Sequence, residues 1–239
     1  MRRFRALRLL AWNIRQGGGA RLPAIGAALA RHAADIVVLS EYRGGGSAER
    51  LLAMLAGLGY RHTTETLPPP GRSGVLIAAT RPFRTHGTIC DAVAEPYKMV
   101  AVELADFRLI GIYMPNLKAK VPYWDALIAA LAANGEGAAV AIGDFNTCRP
   151  YLDEAGAIDA TAYFMDRIAA IGFCDLYRER HPDGRDFSWY STRGNGFRID
   201  HAFLSRQLVA RAGAVRYSHT ERLAGVSDHS PLILDLDAG

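Results

Sequence analysis

Short apolar segments that end in polar side chains constrain the fold of this chain more than any other sequence feature. Apolar runs of five or six residues have the length of buried β-strands. Asn13, Glu41 and Asp144 each follow such a run, and the ends of neighbouring strands are where a rigid sheet brings distant side chains together. The pattern predicts a sheet protein with a polar site at its strand ends. The three runs are Leu7–Trp12, Asp35–Leu39 and Ala138–Ile142.

Helical and strand patterns share the rest of the chain. Helical periodicity covers residues 21–32, 47–58, 122–133 and 160–171, and further strand-like runs occur at residues 74–79, 99–104, 108–113, 197–204, 214–218 and 232–236. Mixed strands with interspersed helices predict an α/β fold in which helices cover the sheets. At 239 residues, with no internal repeat or linker, the chain is expected to form one domain over residues 1–239.

Composition indicates the redox compartment of the protein and the class of its binding partners. Cys90, Cys148 and Cys174 have no paired spacing, so neither a disulfide framework nor a thiolate zinc site is predicted, and a reducing, cytoplasmic location is expected. Residues 1–10 begin like a signal peptide, but Arg8 interrupts the apolar stretch, and no segment has the length of a membrane span, so no membrane association is expected. The net charge of +4, with basic residues concentrated in the first eight positions, fits a phosphate-bearing partner and ordinary surface charge about equally.

Polar side chains suited to metals and phosphates stand at the ends of several apolar runs. Most have an ordinary alternative role: Asn13 as a turn former, Glu41 as a rim carboxylate, and Tyr113 and Asn116 as hydrogen-bonding groups of a loop. Asp200 lies inside an apolar run and needs a partner such as an imidazole. The candidates are Asn13, Glu41, Tyr113, Asn116, Asp144, Asn146, Asp200, Asp228 and His229.

The chemistry of these candidates indicates a hard cation and a phosphate. Oxygen ligands without thiolates favour Mg²⁺ or Mn²⁺ over zinc, and such a cation neutralises phosphate charge. Asp144 is suited to activating a water while Asn146 holds a phosphate oxygen. His229, oriented by Asp200, is suited to act as a donor, although carboxylate–histidine pairs are also common as structural pairs.

Six motifs occur in the order found in a known family, and they span nearly the whole chain. They are Trp12-Asn13-Ile14, Ser40-Glu41, Gly111–Asn116, Gly143–Asn146, Arg198–His201 and Ser227–Pro231. The set resembles the endonuclease/exonuclease/phosphatase superfamily, and residues 165–178 and 187–190 look like its exonuclease III and abasic-site endonuclease branch. The resemblance implies a four-layer α/β sandwich, with two packed mixed β-sheets flanked by helices and a cleft at one edge of the sheets.

The resemblance also implies a role for each candidate. Glu41 is the implied principal metal ligand with Asn13 beside it, and Asp228 completes the metal site or supports His229. The other implied roles are water activation by Asp144, phosphate binding by Asn146, Asn116 and His229, orientation of His229 by Asp200, and phosphate contact or proton transfer by Tyr113.

Further residues match the substrate-binding positions of the repair enzymes. Trp189 and Phe197 match apolar side chains that surround a flipped-out abasic sugar, with ordinary core packing as the alternative. Lys118, Arg198 and the neighbouring Lys120 and Arg193 are candidates for contacts with the DNA backbone.

These observations predict a Mg²⁺- or Mn²⁺-dependent phosphodiesterase that acts on DNA, most naturally a duplex, as an abasic-site endonuclease or 3′-exonuclease without an obligate protein partner. The same motifs are compatible with a phospholipid, an inositol phosphate or a protein-linked nucleotide as substrate. A second alternative is a nucleic-acid-binding or scaffold protein with a degenerate catalytic site.

Overall fold

The structure is a computed structural model that describes residues 6–64, 66–156 and 159–237. The basic residues Arg2, Arg3 and Arg5 of the N-terminal cluster lie outside the described residues. The strands are β1 Leu7–Asn13, β2 Ile36–Arg43, β3 His62–Thr63, β4 Ser73–Ala79, β5 Arg84–Thr88, β6 Met99–Glu103, β7 Arg108–Tyr113, β8 Ala139–Asp144, β9 Phe173–Asp175, β10 Trp189–Tyr190, β11 Gly196–Phe197, β12 Asp200–Ser205, β13 Ala212–Tyr217 and β14 Leu232–Leu236. The α-helices are α1 Leu22–His32, α2 Gly46–Gly57, α3 Val121–Ala133, α4 Tyr163–Ala170, α5 Leu176–Arg180, α6 Arg206–Val209 and α7 Thr220–Leu223.

Two six-stranded mixed sheets pack face to face, and helices cover their outer faces. The strand orders are β13-β14-β1-β2-β4-β3 and β5-β6-β7-β8-β12-β9, and β10 and β11 form a separate hairpin. One apolar cluster fills the space between the sheets, a second lies under α3 and α4, and a third lies under α1 and α2. Each sheet therefore buries both faces, and the predicted four-layer α/β sandwich is confirmed.

Gly111 in β7 allows the two sheets to approach closely. A Cβ atom at this position would lie 3.0 Å from Val38 Cγ1 and 3.1 Å from Ile77 Cγ1, both on the opposite sheet. Ser40 of β2 donates its hydroxyl to the Ile112 carbonyl of β7 at 3.1 Å. This hydrogen bond ties the sheets together beside the strand ends, so side chains from both sheets reach a common cleft.

Strand direction places the polar strand ends at one edge of the sandwich. β1 and β2 are parallel, with Asn13 beside Ser40, and β7 and β8 are parallel, with Tyr113 beside Asp144. β12 runs antiparallel to β8 and begins at Asp200, opposite Asp144. The carboxyl ends of four strands and the start of a fifth therefore meet at this edge.

The predicted strand over residues 197–204 is two strands in the structure. Arg198 and Ile199 leave the ladder because the Arg198 N–H donates to the Asp153 carbonyl at 2.9 Å and the Ile199 N–H donates to Ser188 Oγ at 3.1 Å. The short strands β3, β5, β9 and β10 were not predicted, because segments of two to five residues show little alternation of apolar and polar residues. Within the described ranges, no helix combines the length and apolar character needed to cross a membrane.

Candidate active site

A cavity of about 460 Å³ opens at the edge where the polar strand ends meet. Most of the residues predicted for catalysis and metal binding line it, and Asp200 lies behind it in contact with His229. The lining residues are Asn13, Glu41, Tyr113, Asn116, Leu117, Asp144, Asn146, Trp189, Ile199, Asp228 and His229.

The Asn13 amide links two carboxylates of this cavity. Its Nδ2 donates to Glu41 Oε1 at 3.1 Å and to Asp144 Oδ2 at 3.0 Å, which joins the end of β1 to the ends of β2 and β8. Its Oδ1 accepts from the Arg15 backbone N–H at 2.9 Å, so Asn13 also stabilises the turn that follows it. The amide nitrogen faces both carboxylates and orients them.

Glu41 and Asn146 have left-handed backbone conformations that residues other than glycine rarely adopt. Their φ angles are +58° and +48°. For a residue such as Glu41 this conformation costs about 1–2 kcal/mol and persists where the surrounding structure enforces it, whereas asparagine adopts it more readily. At Glu41 it coincides with a register shift between β2 and β4, and it places Oε2 2.6 Å from the Gln16 backbone N–H. Backbone strain is therefore present where side chains face the cavity.

Asp144 is buried at the end of β8, where β8 passes close to β7. Gly143 has a φ of +142°, and a Cβ atom there would lie 2.1 Å from the Ile112 carbonyl oxygen, so a larger residue does not fit. Asp144 Oδ1 accepts from the Asn146 backbone N–H at 3.0 Å. Burial, reinforced by the nearby Asp200 carboxylate, raises the pKa of Asp144 to about 7. A carboxylate that titrates near neutrality is suited to accept a proton from water.

His229 and Asp200 form a buried pair, with Nδ1 2.9 Å from Asp200 Oδ2. The Trp12 indole N–H donates to the His229 carbonyl at 2.9 Å, and the His229 N–H donates to Ser227 Oγ at 3.3 Å. Burial lowers the pKa of His229, but the Asp200 carboxylate outweighs it and raises this pKa to about 9. The pair therefore keeps a fixed imidazolium in the cavity lining at neutral pH.

The other polar residues of the lining are held to different degrees. Asn146 donates its Nδ2 to the Met114 carbonyl at 2.7 Å, which fixes it against the loop after β7. Tyr113 is half-buried, and burial together with neighbouring carboxylates raises the pKa of its phenol well above the usual range, so it remains a hydrogen-bond donor. Asn116 is exposed and Asp228 is half-buried.

The donor set of the cavity fits a hard divalent cation. Glu41, Asp144 and Asp228 present carboxylates to one space without a thiolate, which suits Mg²⁺ or Mn²⁺. Asp144, Asp200 and His229 also bring one ligand atom each within 4.8 Å of one another. Because Asp200 Oδ2 is engaged by His229, the side of the cavity near Glu41 and Asp228 suits a cation better.

A second cavity of about 430 Å³ adjoins the first and shares part of its lining. Trp189 and Phe197 line it with their ring centroids 5.6 Å apart, and exposed Lys118 lies on its rim. Arg193 is exposed in the turn between β10 and β11. These positions are compatible with the predicted substrate contacts, which remain predictions.

The prediction that Arg198 contacts substrate is corrected by the structure. The side chain is 1% exposed. Its Nε donates to Asp153 Oδ1 at 2.7 Å, and its Nη1 and Nη2 donate to the two Asp175 carboxylate oxygens at 3.1 and 2.6 Å. The guanidinium neutralises two buried carboxylates behind the site and does not line either cavity.

Two buried lysines beside the site were not recognised from the sequence as buried. Lys98 is 6% exposed and Lys120 is 3% exposed. The Lys120 Nζ donates to the Asn146 carbonyl, and the Lys98 Nζ lies 4.0 Å from the centroid of the Tyr113 ring. Only three of the 28 Lys and Arg residues in the chain are lysines, and no local pattern distinguishes these two from the exposed Lys118.

Comparison with known proteins decides the family. The model of the Endonuclease/Exonuclease/phosphatase family matches residues 10–229. The chain belongs to this family. No curated protein sequence matches it significantly.

Solved structures similar to this member of the Endonuclease/Exonuclease/phosphatase family include three from Neisseria and Archaeoglobus fulgidus. A variant of the 3′ phosphatase NExo from Neisseria bound to a product DNA hairpin has a TM-score of 0.86 and 24% identity, covering 98% of this chain and 100% of that one. An AP endonuclease from Archaeoglobus fulgidus has a TM-score of 0.85 and 21% identity, covering 97% and 100%. The 3′-5′ exonuclease NExo from Neisseria meningitidis has a TM-score of 0.85 and 24% identity, covering 97% and 100%. These likenesses confirm the fold, and the family match confirms the resemblance seen in the motifs.

Proposed function

We propose that the protein hydrolyses phosphodiester bonds of duplex DNA with Mg²⁺ or Mn²⁺, as an abasic-site endonuclease or a 3′-exonuclease. The position of Asp144 carries the proposal. It is hydrogen-bonded to Asn13 beside Glu41 on one side, and on the other it lies within 4.8 Å of the Asp200–His229 pair. A base, an imidazolium and cation ligands thus surround one space large enough for a phosphate. The names of the similar structures, a 3′ phosphatase, an AP endonuclease and a 3′-5′ exonuclease, support DNA as the substrate.

Asp144 acts as the proton acceptor for the attacking water. Its pKa of about 7, raised by burial, matches a base that works near neutral pH. The Asn146 backbone N–H and the Asn13 amide each hold one carboxylate oxygen, so the direction of the carboxylate is fixed before substrate arrives. Because the Asp144 carboxylate is already oriented, no free energy is needed to reorient it during the reaction step.

His229, which lines the same cavity as Asp144, supplies positive charge to the phosphate. Asp200 holds Nδ1 and raises the His229 pKa to about 9, which keeps the ring protonated. Its second nitrogen then donates to a phosphate oxygen as negative charge develops there. Tyr113 and Asn116, which line the same cavity, add neutral donors to the phosphate.

The divalent cation would be held by Glu41 and Asp228, with Asn13 keeping the Glu41 carboxylate in place. When bound, Mg²⁺ or Mn²⁺ neutralises phosphate charge and polarises the bond to be broken. Glu41→Gln is expected to raise the Mg²⁺ concentration for half-maximal activity by at least about tenfold, because loss of a ligand or its orientation typically costs that much in metal affinity.

Purified protein assayed on duplexes that carry an abasic site, a blunt 3′ end or a 3′ phosphate, with Mg²⁺, Mn²⁺ or chelator, tests the proposal. Cleavage that requires the cation and is lost in Asp144→Asn is the expected result, since this variant keeps the shape of the side chain and removes the base. The proposal is overturned if no DNA is cleaved above the Asp144→Asn level while a phospholipid, an inositol phosphate or a protein-linked nucleotide is hydrolysed.

A further inference from the structure

A buried ammonium group lies against the ring of Tyr113. The Lys98 Nζ is 4.0 Å from the ring centroid, and the lysine is 6% exposed. Its Nζ also donates to the Ser73 carbonyl in β4 at 3.2 Å. Because Tyr113 ends β7 in the other sheet, Lys98 connects the two sheets beside the cavity.

Lys98 is held in place by Glu95. The Glu95 Oε2 lies 3.6 Å from the Lys98 Nζ. Its Oε1 accepts from the Tyr97 hydroxyl at 2.7 Å, and its backbone N–H donates to the Tyr123 hydroxyl of α3 at 2.9 Å. The ammonium is therefore fixed from several elements and does not depend on substrate for its position.

Lysine is rare in this chain. The chain has three lysines, at positions 98, 118 and 120, and employs arginine for every other cationic side chain of its 28 Lys and Arg residues. All three lie beside the two cavities. The other cation–π contacts among the described residues use arginine, so the ring contact alone does not require lysine. A compact ammonium has three donors, which suits a position between the Tyr113 ring, the Ser73 carbonyl and the Glu95 carboxylate.

We propose that Lys98 is a positioning residue for Tyr113. It holds one part of the ring by a cation–π contact, while the apolar core between the sheets packs against the rest, so that the phenol hydroxyl is directed at the phosphate in the cavity. The role rests on the proposed phosphodiester hydrolysis, in which Tyr113 is a neutral donor to the phosphate.

A double-mutant cycle with Lys98→Met, Tyr113→Phe and the combined variant tests the proposal. Lys98→Met keeps the length of the side chain and removes the charge. It is expected to lower kcat by about tenfold, less than the roughly 10²–10³-fold that removal of a donor costs, because the phenol is displaced and not lost. KM for DNA is expected to change little, since contacts along the rest of the duplex dominate it. Since both changes then remove the same interaction, the combined variant is expected to be within about threefold of Tyr113→Phe. Lys98→Arg is expected to recover part of the lost kcat.

Arg72→Met is the matched control, because Arg72 pairs with Glu95 at 3.9 Å and is 68% exposed. It is expected to leave kcat unchanged. The proposal is overturned if folded Lys98→Met, checked by urea unfolding, keeps wild-type kcat, or if the effects of Lys98→Met and Tyr113→Phe multiply in the combined variant.

The same double-mutant cycle can be measured without DNA turnover. The quantity is then the affinity for inorganic phosphate in the presence of Mg²⁺, measured by calorimetry. Coupled losses of phosphate affinity in the two single variants support the positioning role even if wild-type protein cleaves no DNA. Independent losses in that measurement overturn it. Failure of the proposed function and failure of the Lys98 role are thereby separated.

Discussion

Replacing Arg198 with methionine tests whether this residue serves the fold or the substrate. The arginine is 1% exposed, and its partners Asp153 and Asp175 have side chains that are 0% and 8% exposed. Three hydrogen bonds of 2.6–3.1 Å connect them. Although burial opposes it, the Arg198 charge holds the pKa of Asp175 well below its usual range. Methionine has a similar length but no donor, so both carboxylates lose a buried partner.

The expected loss of unfolding free energy is about 3–5 kcal/mol, the usual cost of leaving a buried charge without its partner. Asp153 keeps a hydrogen bond from the Arg178 Nη2 at 2.6 Å, and Asp175 keeps the Arg178 backbone N–H at 3.3 Å and the His201 Nδ1 at 3.5 Å. The loss is therefore expected towards the lower end of this range. Domains are stable by roughly 5–15 kcal/mol, so Arg198→Met removes a large share of the total. With a urea m-value of roughly 2–3 kcal/mol/M, the unfolding midpoint is expected to fall by about 1–2.5 M.

Urea unfolding followed by tryptophan fluorescence measures this loss, and cleavage kinetics well below the melting temperature measure the effect on substrate. Arg167→Met is the control because Arg167 pairs with Asp125 at 2.7 Å while both side chains are about half exposed, at 47% and 51%. Breaking such a surface pair costs less than about 1 kcal/mol. If Arg198→Met is as stable as this control and instead raises KM for DNA, the structural reasoning is refuted and the substrate-binding role predicted from the sequence is restored.

Three further predictions concern Glu221, Asp200 and Lys118. Burial works against ionisation of Glu221, but hydrogen bonds from His32 and Ser218 lower its pKa to about 2. The ionised carboxylate therefore contributes up to about 3 kcal/mol to the free energy of unfolding above pH 4.5, and this contribution is lost as the pH falls towards 2. Urea unfolding across this range should show a weaker pH dependence in Glu221→Gln. Asp200→Asn removes the carboxylate that raises the His229 pKa to about 9, and the alkaline limb of the kcat/KM profile should move down by at least about one pH unit. Lys118→Ala should raise KM for DNA and reduce the slope of log affinity against log salt by about one, with unchanged stability, because Lys118 is exposed on the cavity rim.

The sequence predicted the edge of the site well because strand ends are encoded locally. Asn13 and Asp144 follow apolar runs whose length identifies these runs as strands. Parallel pairing places Asn13 beside Ser40 in one sheet and Asp144 beside Tyr113 in the other. The contact between them is a hydrogen bond of 3.0 Å across 131 residues, which no local pattern specifies. The local pattern located each side chain, and the packing of the two sheets against each other brought Asn13 and Asp144 together.

The sequence predicted burial of charged residues poorly because their partners are distant. Arg198 pairs with carboxylates 45 and 23 residues away, and Lys98 donates to a carbonyl 25 residues away on the other sheet. An arginine beside a catalytic motif therefore looks the same in sequence whether it faces a phosphate or two buried aspartates. Packing decides which way the arginine side chain points, and a single sequence does not contain that information.

The site has two layers that should respond differently to substitution. Asp200 lies between them: its side chain holds His229, while its backbone N–H donates to Ser188 Oγ at 3.2 Å and its carbonyl accepts from the Tyr217 hydroxyl at 2.6 Å. Arg198, two residues earlier, anchors the same segment to buried carboxylates. Changes in the cavity lining should appear mainly in kcat, whereas changes in the layer behind should appear first as lost stability. The residues behind the cavity fix the backbone of Asp200, so the direction of the His229 side chain depends on them. Variants of these residues should lower activity only as far as they loosen the segment that contains Arg198 and Asp200.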